Sequence, residues 1–184
     1  MRRFLSRAAA QLSACTLFLI LSTLLWVFVF NIVTDTDASR KILVYADVSD
    51  MDERAMSTAL ETDLPPGIKM VRAHRFAYAM FGNSELENAD IYIIPASKTD
   101  VYRDSLLSLE GENAEKYYAG KDGIKVYDPV SAEGCAIEFI TYTDQYGDTE
   151  DYYLFFGANS IHVGTEGSVD SAAFEIADLI LKLN

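Results

Sequence analysis

Ile42-Leu43-Val44-Tyr45-Ala46-Asp47 is the stretch on which the fold turns. Four apolar residues run on without alternation and the stretch closes on a carboxylate, the pattern of a strand buried on both faces. Ser49 and Asp50 follow as expected helix caps, with Asp50 and Glu53 in capping-box spacing. Met51, Ala55, Met56, Ala59 and Leu60 then mark an apolar helix face, which Pro65-Pro66-Gly67 stops. Ile68 to Ala73 reads as a second strand. An intervening helix predicts that the two strands are parallel, in a right-handed βαβ unit.

Further along, Phe76, Tyr78, Met80 and Phe81 form a cluster of aromatic residues and methionine, expected as a short core-packing helix. Ala89 to Pro95 is the third strand and the most apolar of the three. Ser97 is expected to cap a helix running to about Leu109, with Tyr102, Leu106 and Leu109 facing inward. The polar stretch from Gly111 to Gly123 supports only a helical turn around Ala114 to Tyr118. Residues 124 to 129, IKVYDP, read as a strand. Cys135 to Thr143 and Tyr152 to Gly157 are expected to form an antiparallel hairpin across DQYGDTED. Val169, Ala173, Ile176, Ile180 and Leu183 then give a final amphipathic helix. Together these elements predict an α/β domain with three α/β/α layers and a mixed, largely parallel sheet.

Upstream, Thr16 to Val33 carries no charged residue. At 1.5 Å per residue it spans about 27 Å, and the weakly apolar lead-in extends it past the roughly 30 Å hydrocarbon core. The expected plan is a basic tail over 1–11, one transmembrane anchor over 12–33, a short tether over 34–39 and an extracytoplasmic domain over 40–184. A retained anchor fits these lengths better than a cleaved signal peptide, whose apolar region is shorter. Leu12-Ser13-Ala14-Cys15 spells a lipobox, but it precedes the apolar region where a lipobox follows one. Arg2, Arg3 and Arg7 on one side and Asp35 and Asp37 on the other put the N-terminus in the cytoplasm. A single-pass plasma-membrane protein, in a bacterial setting, is the expectation.

The chain beyond residue 33 holds 12 basic against 28 acidic residues, a formal charge of −16. Such a surface repels phosphate backbones, so nucleic acid is not an expected partner. Cys15 and Cys135 cannot build a disulfide framework, and Cys135 reads as a packed free thiol. His74 and His162 stand on separate segments without metal-ligand spacing, no serine lies in G-x-S-x-G or S-x-x-K, and there is no Gly-rich phosphate loop. These absences argue against an enzyme, a metal site or a cofactor. Asp144, Asp148, Glu150 and Asp151 read as a solvated turn, and Asp47, Asp50, Asp52 and Glu53 chiefly as helix caps and first-turn acids. Open α/β sheets place ligands beyond the C-terminal ends of their strands. That edge nominates Asp47, Ser49, Ser97, Lys98 and Thr99 as ligand-binding residues, with the hydroxyls and N–H groups of Ser97-Lys98-Thr99 suited to an anion.

Three segments together resemble the opening lobe of type 2 periplasmic (extracellular solute) binding proteins. Ile42 to Asp47, a helix and Pro66-Gly67-Ile68-Lys69-Met70-Val71 are similar to that family's first strand, helix and second strand. Ala89-Asp90-Ile91-Tyr92-Ile93-Ile94 is similar to the strand that follows, and Asp122 to Pro129 to the approach to the hinge. The resemblance covers Ile42 to Pro129 and implies a binding fold. About 145 residues supply one lobe where the family uses two, and a transmembrane helix stands in place of a lipid anchor. It implies binding of a small-molecule ligand or of a membrane protein partner, as an accessory to a transporter or envelope complex. A purely structural or assembly subunit is the alternative, and an extracytoplasmic hydrolase a weaker one.

Overall fold

The computed structural model describes residues 16–29, 36–75, 84–109, 116–117, 123–144, 146–164 and 171–183. The chain divides into two compact units, Met1–Thr36 and Asp37–Asn184. In the first, a helix α1 covers residues 16–29, and its apolar side chains are exposed, Phe18 and Trp26 among them. Among the described residues no helix is long and apolar enough to cross a membrane. The remainder of the expected 12–33 span lies outside them, as does the Phe76 to Phe81 cluster.

The second unit is an α/β domain. Its elements are β1 (Lys41–Ala46), β2 (Asp50–Met51), α2 (Glu53–Leu60), β3 (Met70–Arg75), α3 (Ser84–Glu87), β4 (Ile91–Pro95) and α4 (Thr99–Tyr102). They continue with β5 (Ile124–Asp128), β6 (Glu133–Gly134), β7 (Ile140–Thr141), β8 (Tyr152–Phe156) and α5 (Ala172–Lys182). Six strands form one mixed sheet in the order β3-β1-β4-β8-β5-β6. β1 pairs in parallel with both β3 and β4, whereas β4 with β8, β8 with β5 and β5 with β6 are antiparallel. The parallel part is therefore confined to β3-β1-β4, and the sheet is less parallel than the sequence suggests.

Every residue of β1 is buried, as its unbroken apolar run requires. Because successive side chains point to opposite faces, Ile42, Val44 and Ala46 join a core with Met56 and Leu60 of α2 and Ile176 and Ile180 of α5. Leu43 and Tyr45 join a second core with Leu86 of α3 and Tyr102 of α4. Helical segments thus cover both sheet faces.

The open edge of β3 is closed by side chains of the helix that precedes it. The Arg75, Ala73 and Val71 N–H groups donate to Glu53 Oε1 at 2.9 Å, Ser57 Oγ at 2.9 Å and Glu61 Oε1 at 3.2 Å. Four helical residues rise about 6.0 Å and two strand residues about 6.6 Å, so helix positions 53, 57 and 61 keep step with strand positions 75, 73 and 71. An unpaired edge that would otherwise invite another strand is occupied.

Several expected elements differ. Asp52, not Ser49 or Asp50, caps α2, accepting from Ala55 N at 2.9 Å; Asp50 is in β2, opposite Thr141. The Ser97 helix is broken into 3-10 turns around α4 and ends at Ser105. It stops because Leu106 bridges Gly157 and Leu107 N donates to Phe156 O at 2.8 Å. The 135–143 and 152–157 hairpin does not form. Ala136 adopts a left-handed conformation at φ 54°, which breaks the extension. β7 begins only at Ile140 and pairs with β2, while both edges of β8 are taken by β4 and β5.

Ser57→Ala should strand the Ala73 N–H and lower the unfolding free energy by about 1 to 3 kcal/mol, read as an earlier denaturant midpoint at unchanged slope. Glu53 supplies a pH test. Burial pushes its carboxyl up, but the bonds from Arg75 N and His74 outweigh burial and leave its pKa below the ordinary 4.5. Its contribution is then fully present above 4.5 and lost as pH falls through the lower folded value. Glu53→Gln should make the acid limb of the stability curve shallower.

Candidate functional site

β1 and β4 end at Ala46 and Pro95, and the polar residues that follow them meet. Asp47 is held at the strand end by its N–H, which donates to Ile93 O at 2.8 Å. Its Oδ2 accepts from Lys98 Nζ and from Tyr102 Oη, both at 2.8 Å. Asp47 and Tyr102 are buried and Lys98 is partly exposed, so the ion pair is shielded from water on the carboxylate side. Tyr102 serves both sheet and site, since its ring packs in the second core beneath the strand ends.

Ser97 faces a different carboxylate. Its N–H donates to Glu150 Oε2 at 2.8 Å and its hydroxyl to Glu150 Oε1 at 2.6 Å. The anion expected at this position is supplied by the chain itself, from the loop before β8. Ser49 Oγ is hydrogen-bonded to Thr143 Oγ1, and Arg75 Nη1 donates to Ser49 O. Thr99 opens α4, its N–H donating to Ala96 O. Of the five nominated residues, Asp47 and Lys98 are in direct contact, Ser97 and Ser49 are tied to other loops, and Thr99 sits at the helix start.

Tyr152 completes the edge. It opens β8 opposite Pro95 and is fully buried. Its ring stacks edge-on to Tyr142 at 5.1 Å between centroids. Among the described residues its Oη is the one buried side-chain polar atom without a hydrogen-bond partner. Burial pushes its pKa up, and the charges of Asp47, Glu150 and Asp144 push it further. The hydroxyl is therefore held neutral, its ring packed in the first core.

Tyr102, Thr143, Glu150 and Tyr152 were not legible as site residues. Tyr102 has the spacing of a core residue, and Glu150 lies in a run of acids that resembles any solvated turn. Only the pairing of β8 beside β4 brings Glu150 to Ser97 and Tyr152 to Pro95. His74 bonds Glu53 at 3.0 Å and His162 bonds Ala38 O at 3.1 Å, so the two histidines belong to separate places. Among the described residues no group of three or more histidine, cysteine or acidic side chains is placed to hold a metal ion. No family model, no curated protein and no solved structure matches the chain.

The Asp47–Lys98 contact can be weighed directly. Lys98→Met should lower the unfolding free energy by about 1 to 3 kcal/mol, because the buried Asp47 side chain then loses its charged partner and keeps the neutral Tyr102 hydroxyl as donor. In an Asp47→Asn background the same substitution should cost much less. The coupling energy from the four denaturation curves measures the contact.

Proposed function

We propose that this chain is a membrane-tethered binding domain, built like one lobe of a solute-binding protein and serving a transporter or envelope complex without catalysing a reaction. In this reading residues 12–33 cross the plasma membrane once, the N-terminus is cytoplasmic, and residues 40–184 face outward. The exposed apolar side chains of α1 support it, since a helix apolar all round requires a nonpolar environment. The binding edge is the C-terminal end of β1 and β4, with Asp47, Ser49, Ser97, Lys98 and Thr99 around it.

The observation that carries the reading is the Tyr152 hydroxyl. Leaving a buried hydroxyl unpaired costs about 1 to 3 kcal/mol, and no packing benefit requires the oxygen, because phenylalanine fills the same ring volume. A ligand group that both donates and accepts, entering at the strand ends, would satisfy Tyr152 Oη. Both donors to Asp47 among the described residues converge on Oδ2, which leaves Oδ1 as an acceptor at the same strand ends.

Tyr152→Phe distinguishes binding from architecture. The variant, made in the full chain in lipid nanodiscs, should be as stable as the parent or more stable by up to about 1 kcal/mol. It should also lose the thermal shift that an amino acid, peptide or sugar produces in the parent, a shift worth about 2.7 kcal/mol at a hundredfold excess over Kd. A marked destabilisation without ligand would mean that the hydroxyl is structural, and the reading would fall. Orientation has its own test: protease added to intact cells should remove the domain, and protection would reverse the assignment.

A further inference from the structure

The opposite end of the same strands holds a cleft. β1 and β3 start in register, Lys41 opposite Met70, but β4 pairs with β1 only from Val44, opposite Ile91. The first three residues of β1 thus extend beyond β4, and among the described residues no strand flanks them on that side. Asp90 replaces part of the missing ladder: its N–H donates to Leu43 O at 3.0 Å, and its Oδ2 accepts from Leu43 N at 2.8 Å. Past that bond the space stays open, as a cleft of about 310 Å³, the low end of the roughly 300 to 1,000 Å³ of small-molecule sites.

Three ionisable side chains on its wall are more than nine-tenths buried, with Lys41 8%, Asp90 3% and His162 2% exposed. Asp90 is fully engaged, its Oδ1 accepting from Ser160 Oγ at 2.6 Å. Burial pushes its carboxyl above the ordinary pKa, while Ser160, Leu43, His162 and Lys41 act in the opposite sense. Asn88 and Asn159 add two carboxamides, the latter anchored by a 3.1 Å bond from Nδ2 to Glu87 O. Leu43 and Ile161 give the cleft an apolar side, and Ile161 forms an exposed lip.

We propose that this cleft is a second ligand site, independent of the Asp47 edge, and that it takes a net-neutral, hydrogen-bonding molecule the size of an amino acid, a monosaccharide or a nucleobase. The charge pattern sets the class. Lys41 and Asp90 put one group of each sign on the wall, so a net cation meets the Lys41 ammonium and a net anion the Asp90 carboxylate inside the cleft. A wholly apolar ligand would strip water from the exposed Asn159 carboxamide without replacing its bonds. The two sites stand about 20 Å apart along β1, at 3.3 Å per residue, so each can fail without the other.

Equilibrium dialysis of the full chain in nanodiscs against L-glutamine, D-glucose and uracil tests this, with inorganic phosphate and putrescine as charged controls. At least one neutral probe should bind saturably at one site, and the controls should not. Ile161→Trp and Asn159→Leu, both at exposed positions, should each weaken that binding at least tenfold, and Tyr152→Phe should leave it unchanged. Failure of all three probes, equal binding of a control, or binding that survives Ile161→Trp would overturn the proposal. Loss of probe binding in Tyr152→Phe would assign the probe to the Asp47 edge and overturn it equally.

Discussion

β1 has no exposed face, so its alternate side chains must each find a separate core, and the rest of the domain is arranged to provide two. Its Ile42, Val44 and Ala46 face α2 and α5; its Leu43 and Tyr45 face the short helices after β3 and β4. At roughly 25 cal/mol per Å² of apolar surface removed from water, such a strand is the most strongly driven element to bury. It can do so only between two neighbours that are themselves covered. The parallel pairing with β3 and β4 follows, because connections that pass over a face bring cover with them.

Burial on this scale leaves backbone groups at edges and strand ends to be satisfied, and the acidic residues perform much of that task. Glu53 and Glu61 close the free edge of β3, Asp90 continues the ladder beside Leu43, Glu150 accepts from Ser97 N, and Asp52 caps α2. Asp144 Oδ1 likewise accepts from both Tyr146 N and Asp148 N, fixing the turn before β8. Charge-assisted bonds of this kind are the stronger class. The excess of carboxylates is therefore more than a solubility device, since a specific subset replaces backbone partners where the sheet runs out.

The parts visible in the sequence are those governed by local pattern: β1 from its unbroken apolar run, the parallel return of β3 after a helix, β4, and α5 from its stripe. What could not be read depends on long-range pairing. Residues 135–143 have strand-forming composition, yet the left-handed Ala136 and the prior claim of β4 and β5 on β8 send β7 to β2. Capping moved from Asp50 to Asp52 because Asp50 is held in β2, a contact 91 residues distant in sequence. Asp47 and Lys98 could be placed at one edge from topology alone. Glu150, Tyr152 and the Lys41, Asp90 and His162 group could not, since no spacing along the chain marks them.

One offset accounts for both ends of the parallel trio. With Val44 opposite Ile91, β4 runs on beyond the end of β1 and carries Ala96–Lys98 over it, which lets Lys98 and Tyr102 reach Asp47. The same offset removes β4 from beside Lys41–Leu43 and opens the cleft. Hydrophobic patterning does not select this register by itself. A slip of one residue would turn every side chain to the wrong face, but a slip of two would keep each on its own face. The side-chain bond from Leu43 N to Asp90 Oδ2 does discriminate, because it forms only when Asp90 lies next to Leu43. Sliding β4 by two residues would break it, fill the cleft with backbone and carry Lys98 away from Asp47. The Asp90 bond at one end and the Asp47 bonds at the other thereby favour this register over a slip of two, and both candidate sites depend on it.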